Sequence, residues 1–288
     1  MIIDLLKAVL FGIVEGITEW LPVSSTGHLI LLDEFVKMDV SDEFMEMFNI
    51  VIQLGAILAV IVLFFKKLNP FSLKKTKAEK KNTWSLWFKV IVGVIPSGII
   101  GVLLDKKLEN HVWNIELFGT SLQTIIVVSA LILYGIAFIL IENRNKKLQP
   151  RITDVHEIDY RTAIYIGLFQ CLSIIPGTSR SGSTILGAIL LGVGRSAGAE
   201  FSFFLAIPTM LGYSALKIFD FFIMEGKALN NTEIGVLITA FIVSFVVSLL
   251  VIKGLMEFVR RHSFSSFGWY RIGLGILLIG YFIVKAFI

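Results

Sequence analysis

The sequence predicts an all-α integral membrane protein with six full transmembrane helices and two re-entrant helical hairpins, arranged as an inverted-topology repeat. Three observations predict it. The 288 residues are 56% hydrophobic with 24 Phe, at a mean hydropathy of +0.82, which is more apolar surface than a soluble domain of this size buries. Six segments, about 47–65, 85–104, 121–141, 200–222, 235–254 and 270–288, are apolar throughout, and roughly 20 helical residues suffice to cross a hydrocarbon core. Two more apolar segments, 5–32 and 160–193, are interrupted by prolines, hydroxyls and charges in a common order.

The first segment is broken by Glu15, Glu19, Pro22, Ser24, Ser25 and His28. Irregular backbone at membrane depth survives only where it is buried in protein or lines a cavity, so a re-entrant hairpin is the expected form. The segment 160–193 is broken in the same manner by Pro176, Ser179, Arg180 and Ser181. Gly12, Glu15, Leu21, Pro22, Ser24 and Ser25 run parallel to Gly167, Gln170, Ile175, Pro176, Thr178 and Ser179, and three full spans follow each set. A repeat with an odd number of crossings is inverted relative to its twin. Residues 1–288 therefore read as one membrane domain, with repeat halves of about 1–145 and 155–288 and hairpin tips meeting near the midplane.

Sidedness follows from the loops. Lys66, Lys67, Lys74, Lys75, Lys77, Lys80, Lys81, Arg144, Lys146, Lys147, Arg151, Arg161, Arg195, Lys253, Arg260, Arg261 and Arg271 fall on one side; Lys37, Lys106, Lys107 and Lys227 fall on the other. The richer side is cytoplasmic by the positive-inside rule. Both termini and the acidic stretch from Asp33 to Glu46 are then outside. The formal charge of +4 is a topology signal and predicts no nucleic-acid partner. Cys171 stands alone, which excludes an internal disulfide or a multi-cysteine metal site. The first residues lack a basic flank and a cleavage site, so no signal peptide is expected.

The chemistry-bearing residues lie in the two breaks. On a helix over 8–20, Glu15 and Glu19 are four apart and share a face. Two like charges at membrane depth are costly, and a divalent cation, Mg²⁺ or Ca²⁺, would relieve both the burial and the repulsion while bridging to phosphate. An interfacial or salt-bridged glutamate is the plainer alternative. Pro22 ends that helix, and Ser24, Ser25, Thr26 and Gly27 offer hydroxyls and N–H groups at the start of the next one, an anion-binding arrangement. The same run is also an ordinary helix cap. His28, three residues after Ser25, and the two glutamates add a base and carboxylates to a hydroxyl nucleophile. In the second break Gly177, Thr178, Ser179 and Ser181 surround Arg180, whose guanidinium fork matches phosphate oxygens; a purely structural ion pair with Glu15 or Glu19 is the alternative. His111, His156 and His262 fall in polar loops and are expected at the surface. Asn49 and Gln53 are read as interhelical hydrogen-bonding groups, with lining of the cavity as the alternative.

Glu15-Gly-Ile-Thr-Glu19-Trp-Leu-Pro-Val-Ser-Ser-Thr-Gly-His28 and Pro176-Gly-Thr-Ser-Arg180-Ser-Gly resemble the two signatures of bacterial undecaprenyl-diphosphate phosphatases of the bacitracin-resistance type. The stretches Gln53-Leu-Gly-Ala-Ile and Phe203-Phe-Leu-Ala-Ile-Pro208 resemble that family too. The resemblance covers the whole chain, with no departure at the motif positions. It implies hydrolysis of undecaprenyl diphosphate to undecaprenyl phosphate and phosphate in the plasma membrane, on its outer side. The lipid carrier is thereby recycled for wall synthesis, with resistance to bacitracin as a consequence. Carried over by position, Glu15 and Glu19 are the acidic, metal-holding pair, Ser25 and His28 are catalytic, and Arg180 is the phosphate ligand. The implied partners are undecaprenyl diphosphate and membrane lipid; a homodimer is left open. So is the choice between a Ser25 phosphoenzyme and a directly activated water. A lipid-carrier transporter or flippase is the competing class, since inverted repeats with broken helices also build transporters. An acid-phosphatase-like enzyme is disfavoured, because no second His follows Ser179-Arg180 in the required position.

Overall fold

A computed structural model describes residues 2–38, 40–108, 115–117, 120–146 and 148–287. Eleven helices account for nearly all of it: α1 (Ile2–Thr18), α2 (Ser25–Phe35), α3 (Asp42–Leu63), α4 (Phe65–Leu68), α5 (Lys77–Leu108), α6 (Leu122–Asn145), α7 (Tyr160–Gln170), α8 (Arg180–Leu190), α9 (Arg195–Phe219), α10 (Asn231–Arg261) and α11 (Ser265–Phe287). The β-structure among the described residues is small: an antiparallel pair, β1 (Glu116–Leu117) with β2 (Thr120–Ser121), and one isolated bridge, Ile152 to Val193. Six helices are long and apolar enough to cross a membrane, at Glu43–Leu63, Lys77–Leu104, Leu122–Asn145, Arg195–Met224, Asn231–Arg261 and Ser265–Lys285. They coincide with the six segments expected from hydropathy. Each runs several residues past the expected segment at one end or both, because polar and charged flanks continue the helices beyond the apolar stretch; Ser41 caps α3, Ser121 caps α6 and Asn230 makes a capping box for α10.

The long helices pack in a regular scheme. Helix α1 lies along α10, and α7 lies along α5; α3 contacts α10 and α9, α5 contacts α9, and α6 pairs with α11. Bare glycine faces permit the closest of these crossings. A Cβ on Gly167 would sit 1.8 Å from the Gly93 carbonyl oxygen, and Gly135 and Gly268 face each other's carbonyls, each at 2.7 Å from an ideal Cβ. Buried side chains form one large cluster around Phe201, Phe203 and Phe204, a second around Phe11, Phe44 and Phe48, and a third between α6 and α11. Val62, Ile99, Leu133, Leu140, Ile242, Leu250 and Leu277 point outward and are more than half exposed or close to it. Apolar residues inside and outside alike are what a lipid solvent permits.

The basic end of the bundle is tied by ion pairs. Arg195 grips Glu142 through Nε at 2.9 and 3.1 Å and Nη2 at 2.5 Å, and the same carboxylate accepts the Phe264 N–H at 3.0 Å. Lys67 reaches Glu200 at 2.5 Å. Arg271, expected among the cytoplasmic loop charges, is instead fully buried within α11. Its neighbours in sequence, Tyr270 and Ile272, continue the helix, so its charge belongs to the interior and not to a loop.

Candidate active site

The two broken segments adopt matching backbones. After α1 the chain turns through residues 19–24 before α2, and after α7 a 3-10 turn (Cys171–Ile174) and residues 175–179 lead to α8. Ser24 at φ 75° and Ser179 at φ 72° are the non-glycine residues with positive φ among those described. Left-handed conformations cost energy for L-residues and persist where surrounding structure enforces them, often at functional sites. Each serine caps the helix that follows: Ser24 Oγ accepts from Gly27 N at 3.2 Å, and Ser179 Oγ accepts from Gly182 N at 3.1 Å.

The segments meet through side chains. Helix α1 ends at Thr18, four residues before Pro22, yet Glu19 N still donates to Glu15 O at 3.0 Å, which keeps both glutamates in helical register. Glu19 is the hub: Oε1 accepts from Arg180 Nη2 at 3.1 Å, and Oε2 accepts from Ser25 Oγ at 2.7 Å. Arg180 Nη1 donates to Ser202 O at 2.9 Å, its guanidinium sits 5.9 Å from the Trp20 ring, and its Nε is buried with no partner. Glu15 is completely buried, within electrostatic reach of Glu19 and Arg180, and both its carboxylate oxygens lack a partner. His28 bridges Ser24 O through Nδ1 and Tyr270 Oη through Nε2, at 2.7 Å each.

The remaining expected residues divide by environment. Thr26 is exposed and Ser25 half-buried, which opens the first turn to a ligand; Gly27 is buried behind them. In the second turn, Gly177 at φ 89° presses on Val127. The Thr178 hydroxyl donates to Leu172 O and Ile175 O, and Ser181 Oγ faces Glu19 O at 3.2 Å and Leu21 O at 3.3 Å. His262 is exposed. His156 departs from expectation: it is half-buried, its Nδ1 is buried without a partner, and burial lowers its basicity below the ordinary histidine range. His111 lies outside the described residues. Asn49 Oδ1 is buried and unpartnered.

Arg271 and Tyr270 join the site unannounced by the motifs. Arg271 donates to Pro22 O at 3.1 Å and Gly177 O at 2.7 Å, one carbonyl in each break, and reaches Ala130 O at 3.3 Å and Leu131 O at 3.4 Å on α6. One buried guanidinium therefore ties both turns to α6. The available signal was an arginine six residues inside an otherwise apolar helix, where a charge without carbonyl partners would be expensive.

A pair of capped turns, a hydroxyl on a carboxylate and an arginine with a spare N–H suit a phosphorylated ligand. The family model described as "Bacitracin resistance protein BacA" matches residues 8–277. The chain belongs to the BacA family. Curated relatives agree over nearly their full lengths. A protein of Enterococcus faecalis is 54% identical over 280 residues, covering 97% of this chain and 98% of its own. One from Streptococcus thermophilus is 54% identical over 284 residues, with 99% and 95% coverage, and one from Streptococcus suis is 55% identical over 281 residues, with 98% of each. All three carry the name undecaprenyl-diphosphatase. Within this BacA-family chain, both breaks and all the residues around them fall inside the matched region.

Proposed function

We propose that this chain hydrolyses undecaprenyl diphosphate to undecaprenyl phosphate and inorganic phosphate, thereby recycling a lipid carrier and conferring bacitracin resistance. The observation that carries the reading is the Ser25–Glu19–Arg180 chain, a nucleophile, a proton acceptor and a phosphate-matching cation within successive hydrogen bonds, in a family whose matched relatives carry that enzyme's name. Ser25 Oγ attacks the terminal phosphorus and passes its proton to Glu19 Oε2 as the bond to the bridging oxygen breaks and undecaprenyl phosphate leaves. Arg180, with its unpartnered Nε, and the N–H groups of the capped turns stabilise charge on the phosphoryl oxygens, the dominant need in such a transfer.

The donor set fits a divalent cation, Mg²⁺ or Ca²⁺. Glu15 offers two buried oxygens without partners beside Glu19, and such ions are commonly held by one or two carboxylates plus substrate phosphate. No group of three or more His, Cys, Asp or Glu side chains suited to a metal occurs among the described residues, so the substrate and water would complete the shell. When bound, the cation supplies charge neutralisation at the diphosphate.

In the bilayer, the two broken segments act as re-entrant hairpins of an inverted repeat. The reading is supported by the matched Ser24 and Ser179 turns and by the packing scheme. The pairing of α1 with α10 has its counterpart in α7 with α5, that of α3 with α10 in α9 with α5, and the α6–α11 and α3–α9 pairs are their own counterparts. The loop charges then put the site on the extracytoplasmic side with both termini outside.

Phosphate release from undecaprenyl diphosphate by purified protein in detergent, with and without Mg²⁺ or Ca²⁺, tests the activity beside Glu19→Gln and Arg180→Ala. Metal-dependent release lost in both variants supports the reading. Well-folded wild type that binds the lipid without releasing phosphate returns the transporter class to first place. Labelled phosphate trapped on Ser25 after a quench tests the covalent step, and its absence with turnover intact leaves water as the nucleophile.

A further inference from the structure

We propose that Tyr270 is a positioning residue for His28: its phenol donates to the imidazole nitrogen that carries the lone pair and holds the ring for the second half of the hydrolysis. The proposal deepens the phosphatase reading and rests on it. His28 Nδ1 lies 2.7 Å from the Ser24 carbonyl oxygen. A carbonyl only accepts, so Nδ1 carries a hydrogen while that contact is made. The lone pair of the neutral ring then belongs to Nε2, and the group 2.7 Å from it is the Tyr270 hydroxyl, which must donate. The two rings are nearly parallel, 5° apart with centroids at 5.7 Å, so the Ser24 carbonyl sets the tautomer while Tyr270 holds the orientation.

This pairing divides the proton work. The Ser25 proton is directed to Glu19, while His28 faces Tyr270. Arg271, the next residue on α11, is the charged group that acts on His28 from that helix, and it is engaged by four backbone carbonyls. In the second step a water displaces the phenol from Nε2. Its oxygen bonds to the phosphorus of phosphoserine, one of its protons passes to Nε2, the Oγ–phosphorus bond breaks, and Ser25 recovers the proton held by Glu19.

Nitrogen-15 NMR of histidine-labelled protein in detergent reads the tautomer directly; the sequence has 4 His, and His28→Gln assigns the resonance. The expected wild-type spectrum shows His28 with Nδ1 protonated and a hydrogen-bonded Nε2, and Tyr270→Phe, which keeps the ring and loses the donor, moves the Nε2 resonance toward the free value. In the same two proteins the pH dependence of kcat is measured. Loss of one hydrogen bond to the neutral imidazole shifts the acid limb upward by about half to one pH unit. An accompanying fall in kcat of roughly 10-fold leaves KM little changed. An Nε2-protonated His28, or identical spectra and pH profiles for wild type and Tyr270→Phe, overturns the proposal and leaves the phosphatase reading standing. Wild type that releases no phosphate overturns the phosphatase reading and with it a role for Tyr270 in hydrolysis.

Discussion

The turn at Ser24 and the turn at Ser179 are nearly one piece of backbone built twice. Both serines take φ near 70–75°, both cap the next helix through the glycine three residues on, and both turns give a carbonyl to Arg271. Their side chains differ position by position. The shared caps pair Ser24 with Ser179, one residue off the sequence pairing of Ser25 with Ser179; in that register Glu15 stands where the second segment has Gln170, Ser25 where it has Arg180, and His28 where it has Ser183. Gln170 donates through Nε2 to Ser97 at 2.6 Å and Thr209 at 3.1 Å while its Oε1 is buried without a partner, and Ser183 donates to Tyr134 at 3.2 Å. Glu15 has no partner at all. The difference teaches that the backbone supplies two equivalent platforms, and that in the proposed hydrolysis the first would carry acid, base and nucleophile while the second would contribute the cation and otherwise stabilise.

The sharpest way to break this division is to remove the one reactive group on the second platform. Arg180→Ala is expected to lower kcat by about 1,000-fold, the scale of a lost arginine or oxyanion donor in phosphoryl transfer; phosphate release checks it, and a loss under 10-fold would mean that the second platform is structural throughout. Next in size is the shared clamp. Arg271→Met leaves the Pro22 and Gly177 carbonyls of the two turns without their donor in the interior, and costs about 3 kcal/mol, read as a lowered midpoint of unfolding in detergent.

Glu15→Gln gives the first platform the side chain of the second. We expect activity to fall by about 100-fold with loss of metal stimulation, at the scale of one lost charge-stabilising group. Stability should rise by about 1 kcal/mol as a buried, unpartnered ionisable carboxyl is replaced by a neutral amide. Equal activity with and without the substitution would remove Glu15 from the metal-holding pair. The smallest effect tests the backbones themselves: Ser24→Gly and Ser179→Gly should each change stability by only a few tenths of a kcal/mol, since glycine accepts positive φ and is a tolerable cap. A large loss at one and not the other would show that the platforms are not equivalent.

The pattern of the chain made much of this legible. Six apolar runs of near-bilayer length can do little but cross a membrane, so the six long helices and their order follow from hydropathy and the need to satisfy backbone polar groups. The spacing of Glu15 and Glu19, the Pro-Ser breaks and the lone Arg180 named the place that the proposed chemistry occupies, because ionisable groups are too costly in an apolar segment to be incidental. The close matches to undecaprenyl-diphosphatases agree with the resemblance those motifs carried.

Tertiary structure alone decided which groups touch. Arg271 reads in the sequence as one more basic residue near a helix start, yet it closes both turns, and no local pattern encodes four carbonyls arriving from three separate stretches of chain. The same holds for His28, which lies three residues from Ser25 but hydrogen-bonds to Tyr270, 242 positions away, leaving Ser25 to Glu19. Sequence spacing fixes which face of one helix a side chain occupies; the partner it meets depends on how the helices pack, and that is a property of the whole bundle.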